Sequence, residues 1–114
     1  MMINEYNFGK IVIDGEIYSD DVKIIKGRVI PRWLRKTGHS VDVEDVKDAL
    51  ESKPAVLVIG KGEPGMMASS TSLRRFLRNN GIELIEEKTS KAVDTFNRLQ
   101  KQGKNISAAL HLSC

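Results

Sequence analysis

The residues of this 114-residue chain that could carry chemistry gather first on one loop. VLVIGKGEPGMM, Val56 to Met67, is an apolar run that breaks into Gly60, Gly62 and Gly65 in the order G-x-G-x-x-G. Amides freed by such glycines cradle a pyrophosphate when a helix opens directly behind them. The same residues also fit the glycine frame of a P-loop. The Lys-Ser/Thr that should follow the last glycine to hold phosphate and magnesium is Met66-Met67, which removes that reading. The dinucleotide reading has the right order: a strand-like run before Gly60, a helical pattern after it, and Glu86 about 20 residues further on, where a ribose-binding acid belongs. Its details fail. Met66, Met67 and Ala68 delay the first helix cap, Pro64 has no amide hydrogen, and Glu63 sets a carboxylate where phosphate charge would lie. The glycines are therefore expected to shape a tight exit from a buried strand. Gly60 and Gly62, with Thr89 and His111, form the candidate ligand-binding set of an alternative reading as a small-molecule or anion-binding enzyme.

Other catalytic arrangements find little support. His39 and His111 are the only histidines and Cys114, the last residue, is the only cysteine. This rules out a His-rich metal cluster, an intrachain disulfide and a multi-cysteine zinc site. H-E-x-x-H and G-x-S-x-G are both absent. No catalytic residue is assigned, and neither metal nor cofactor is expected. A second concentration is basic: RVIPRWLRKTGH, Arg28 to His39, sets Arg28, Arg32, Arg35 and Lys36 around the only tryptophan, and Arg74, Arg75 and Arg78 follow later. Arginine beside aromatics suits a phosphate or nucleic-acid surface, but the same mixture is enriched at protein interfaces. A net charge of +3 is too mild to favour nucleic acid. Arg32, Trp33, Arg35 and His39 are accordingly the candidate interaction surface, for a protein partner or a second copy of the chain.

The elements that position these residues are legible from periodicity. Two β-prone runs flank Asp14-Gly15 in IVIDGEIY, and VKII and RVI flank Lys26-Gly27, so residues 1–33 read as a β-hairpin annex. Val43, Val46, Ala49 and Leu50 have helical spacing behind Asp42, a capping residue, and Pro54 ends that helix. Ala55 to Ile59 is a strand buried on both faces. SSTS opens a helix carrying Leu73, Phe76 and Leu77 inward, and IELIE is the next strand. Thr89 or Ser90 caps a helix striped by Ala92, Val93, Phe96 and Leu99, and ISAALHL is the final strand. Residues 42–114 thus predict a helix followed by a β-α-β-α-β core. The expected fold is a single three-layer α/β domain with a small, mixed but mostly parallel sheet, helices on its faces and N-terminal hairpins. Parallel strands would bring the Gly60 to Gly62 loop, the turn before Thr89 and His111 to one edge, with His111 facing away from Leu110 and Leu112. The longest apolar run is too short for a membrane span, MMINEYNFG has no signal-peptide character, and a cytoplasmic location is expected.

FGKIVIDGEIYSDDV, PRWLRKTGHS, VLVIGKG, GIELIEEKTSKAVDTFNRL and the ending AALHLSC together resemble the domain family of the adipogenesis-associated protein and the mitochondrial complex I assembly factor, in its short archaeal-type form. The resemblance spans nearly the whole chain. Its most specific parts are Trp33-x-Arg35-x-x-Gly38-His39, Thr89-x-x-Ala92-Val93-x-x-Phe96-Asn97 and the ending. It implies a mixed sheet with helices and a β annex, in which one central strand runs against the rest. It also implies no established enzymatic activity or cofactor, and in one eukaryotic branch protein binding during respiratory-complex assembly. A non-enzymatic interaction or assembly module is therefore the expected function.

Overall fold

The computed structural model describes residues 1–114. Ile3–Asn7 (β1), Lys10–Ile13 (β2) and Glu16–Tyr18 (β3) form a three-stranded antiparallel sheet. Asp14 and Gly15, with φ of +49° and +82°, make the turn from β2 to β3, as their side chains permit. Val22–Ile25 (β4) and Arg28–Ile30 (β5) form the second hairpin.

That hairpin is not part of the annex. β4 pairs with the last strand, Ile106–His111 (β10), and so joins the main sheet, whose order is β5-β4-β10-β7-β9 with Val56–Lys61 as β7 and Glu83–Glu87 as β9. A two-residue turn can only deliver an antiparallel neighbour. Pairings β10–β7 and β7–β9 are parallel, β10–β4 and β4–β5 antiparallel. The sheet is mixed rather than mostly parallel, with β4 running against its neighbours on both sides. The fully buried Val22 and Ile24 explain why the hairpin is drawn in: their side chains complete the apolar face that the annex covers.

Three layers result. Thr89–Lys101 (α3) and the annex cover one face, where Ile11, Ile13, Val58, Phe96 and Leu110 meet in one core. The other face is covered by Lys47–Glu51 (α1), Thr71–Asn79 (α2) and Trp33, packed on Leu57, Ile59 and Ala109. β7 is buried on both sides, as its unbroken apolar run requires. Ser40–Val41 (β6) and Ala68–Ser69 (β8) add a short parallel pair. No helix is long and apolar enough to cross a membrane.

Local differences from the sequence reading have identifiable causes. The helix behind Asp42 is split into a 3-10 turn, Val43–Val46, and the short α1, because Asp42 and Asp45 engage one another's backbones in a tight reciprocal cap. Ser70 caps α2 by accepting the Leu73 amide at 3.0 Å. Leu73 and Leu77 point inward four residues apart, which leaves Phe76 on the flank of the helix, 37% exposed. Asn97 accepts the Ile3 amide at 3.0 Å and donates to the Ile3 carbonyl at 2.8 Å, clamping β1 onto α3.

Candidate functional site

The parallel register brings the carboxyl ends of three strands together: Gly60 lies opposite Leu110 and Glu87, and Lys61 opposite His111. The glycine loop, Thr89 and His111 therefore meet at one edge. They meet by binding each other. Thr89 Oγ1 accepts the Gly62 amide at 2.8 Å and donates to the His111 carbonyl at 2.6 Å, all in the interior. A Cβ on Gly60 would stand 2.8 Å from that Oγ1 and 3.0 Å from Leu110 Cδ2, so the residue is glycine to admit the threonine. Gly62, with φ +86°, has Ser113 and His111 where its side chain would go.

The helix end behind the loop is occupied too. Neither Thr89 nor Ser90 caps α3 with its own side chain. Instead the Glu63 carboxylate reaches from the glycine loop to accept the Ser90 amide at 3.2 Å and the Ser90 hydroxyl at 2.6 Å. These hydrogen bonds, aided by nearby Lys88, hold the Glu63 carboxyl below the usual carboxylate range. The protein's own anion thus sits where a phosphate would be cradled. Glu86, the acid placed to meet a ribose, accepts the Ser69 amide at 2.6 Å and lies 3.7 Å from Arg74. We expect Thr89→Val, which keeps the shape but leaves the Gly62 amide and His111 carbonyl unpaired, to cost about 2 kcal/mol. Thr89→Ser should stay within about 1 kcal/mol of the natural protein. Urea unfolding of the pair checks this, and equal losses would mean the hydroxyl bonds contribute nothing.

Beyond the loop, Arg35 and His111, both singled out from the sequence, meet in a buried charged cluster whose central residue sequence reasoning missed. Its centre is Asp21. One carboxylate oxygen accepts the Leu112 amide at 2.7 Å; the other accepts Arg35 Nη1 at 2.9 Å and lies 2.8 Å from His111 Nδ1. The Arg35 side chain is 6% exposed and also donates to the Gly38 carbonyl, while its guanidinium carbon stacks 4.6 Å from the Trp33 ring centre. Trp33 Nε1 donates to the Asp45 carbonyl at 2.8 Å, and the Trp33 amide to the Asp21 carbonyl at 2.8 Å. Local sequence gives Asp21 no distinction beyond its place in the SDDV stretch before β4. Its importance comes from partners 14 and 90 residues away.

Tyr6, on β1, donates its hydroxyl to the Leu112 carbonyl at 2.8 Å. Burial, with the Glu63 and Asp21 carboxylates adding to it, pushes its ionisation from 10 up to about 12. A folded pKa above the unfolded one contributes stability that is complete below pH 10 and lost as pH rises towards 12. Denaturant midpoints measured across that window should fall less steeply for Tyr6→Phe than for the natural protein.

The expected contact surface divides. Trp33 is buried at 4% exposure and Arg35 is turned inward, so neither can present itself to a partner. The tryptophan closes the core over α1, and its ring in turn shields the guanidinium. Arg32 and His39 are exposed, and Leu34, left out of the predicted set, is 86% exposed. Alternation explains the pattern: Arg32 adopts φ +53°, which turns the chain so that Trp33 and Arg35 enter while Leu34 leaves. Leu34 and Arg32 border a shallow depression of about 340 Å³ with Gly9, Asp20, Leu112 and Ser113. Phe8, next to Gly9, is also exposed.

A mixed five-stranded sheet, covered by α3 and a β annex on one side and by short helices on the other, defines a three-layer α/β domain. The chain belongs to the family described as "Protein of unknown function (DUF498/DUF598)", which matches residues 3–111. It is similar to a conserved hypothetical protein from Pyrococcus horikoshii OT3, at 27% identity over 100% of each chain with a TM-score of 0.81. A protein from Bordetella parapertussis shares the fold at 21% identity over 98% of this chain and 95% of the other, TM-score 0.85. So does a Bordetella pertussis protein described as a Mth938-like domain, at 18% identity over 97% and 85% of the two chains, TM-score 0.76.

Proposed function

We propose that this protein is a non-enzymatic protein-interaction module, of the assembly-factor kind implied by its resemblance to the adipogenesis-associated and complex I assembly proteins. The observation that carries the reading is Leu34: a leucine 86% exposed, beside Arg32, held at the rim of a depression by a rigidly paired support. Isolated surface leucines are common, but this one stands on a segment whose two neighbours in the alternation are locked inward by a cation–π stack and a buried carboxylate. Apolar and arginine side chains on a rigid base suit a partner protein, because little conformational entropy is lost on docking.

The alternative, a small-molecule or anion-binding enzyme using the Gly60 to Gly62 loop with Thr89 and His111, loses support because Thr89 engages the Gly62 amide and the His111 carbonyl and Glu63 fills the helix end. Leu34→Ser tests the proposal. Thermal and urea stability should stay within about 0.5 kcal/mol of the natural protein, as for other exposed sites. Quantitative affinity capture should lose a partner that the natural protein retains. An unchanged set of captured proteins, with folding intact, would remove Leu34 from the account.

A further inference from the structure

Asp20 and Arg32 both border the depression beside Leu34, both are exposed, and neither takes part in an ion pair, with the other or with any other side chain. Asp21, the next residue, is held by Arg35 and the Leu112 amide and does not serve Arg32. One acid and one base balance. A strongly acidic or strongly basic partner therefore gains nothing at this patch.

The apolar part of the patch is unmatched in the same way. Leu34, 86% exposed, is a projection, and the depression of about 340 Å³ beside it is a recess with room for a leucine side chain. The buried Trp33 and Leu112 line that recess, and a Cβ at Gly9 would meet nothing within 4 Å, so it is open at that end. One patch thus carries both halves of two complementary pairs, projection with recess and base with acid. Halves that do not close within a chain close across a two-fold axis, where each residue meets on the other copy the partner that its own copy presents in return. We propose that the occupant of this surface is a second copy of the chain, with Leu34 of each protomer entering the depression of the other and Arg32 of each meeting Asp20 of the other. The proposal rests on Leu34 being an interaction residue and names what it meets.

Sedimentation velocity on the full chain tests it. A patch of this size makes a dissociable dimer, so the sedimentation coefficient is expected to rise with concentration between about 10 µM and 1 mM at low salt. Leu34→Ser should weaken dimerisation about tenfold or more. Asp20→Arg and Arg32→Asp each set like charges face to face at both contacts of the dimer and should do the same. Aspartate is among the residues that tolerate the positive φ of position 32, and both sites are exposed, so melting temperatures should stay at the natural value. Mixed in equal amounts, the two charge variants restore opposite charges at both contacts and should regain the natural affinity as a heterodimer. A natural chain that stays monomeric throughout, a dimer indifferent to Leu34→Ser or to either reversal, or a mixture that stays monomeric overturns the proposal. A monomeric natural chain leaves the interaction-module reading standing, because affinity capture with Leu34→Ser reads foreign partners independently.

Discussion

Asp21→Ala is expected to cost about 3–5 kcal/mol of folding stability, the range for removing one partner of a buried ion pair. The carboxylate is the sole acceptor in the structure for the Leu112 amide and the meeting point of Arg35 and His111. Without it, a guanidinium that is 6% exposed retains only the Gly38 carbonyl and the Trp33 ring. Such a loss is a large share of the about 5–15 kcal/mol that stabilises a typical domain. Asp21→Asn keeps an acceptor oxygen but not the charge, and should fall between the two. Urea unfolding gives all three values, and a loss under about 1 kcal/mol for Asp21→Ala would mean that the cluster is solvated rather than structural.

Gly62→Ala should be comparably damaging, by about 3 kcal/mol or more. The position combines φ +86°, a region in which a side chain is strained, with a Cβ site overlapped by the Ser113 carbonyl and 2.7 Å from His111 Cδ2. The strain must be relieved by moving the last residues off the loop, which also breaks the hydrogen bond that the Glu63 amide donates to the Ser113 carbonyl. By contrast Gly9→Ala, where a Cβ meets nothing within 4 Å, carries only the positive-φ strain and should cost less. Near-equal costs would show that the glycine loop is not packed against the C-terminal segment.

Much of this architecture was readable from the sequence because its signals are local. Asp14-Gly15 specified its hairpin, the helical stripes specified α2 and α3, and the unbroken Ala55 to Ile59 run specified a strand covered on both faces. Glu63 and Pro64 already argued against a phosphate cradle, and the Glu63 cap on Ser90 supplies the physical reason. What the sequence concealed depends on distant partners. The second hairpin has the same turn chemistry in an annex as in the main sheet, and only its pairing with β10, more than 80 residues on, distinguishes them. Trp33 and Arg35 have the composition of an interface, yet a tryptophan stacked on an arginine serves equally well inside when Asp45 and Asp21 accept their donors. Asp21 could not be singled out at all, since nothing within ten residues of it shows that Arg35, Leu112 and His111 converge there.

The reading as an interaction module is tested most directly by a photo-crosslinking amino acid placed at position 34, with the same substitution at Lys104 as an exposed control in the turn between α3 and β10. Adducts formed in the cell of origin are identified by mass spectrometry. The account predicts a recurrent protein adduct from position 34 that position 104 does not yield. Equal, scattered labelling from the two positions would contradict it.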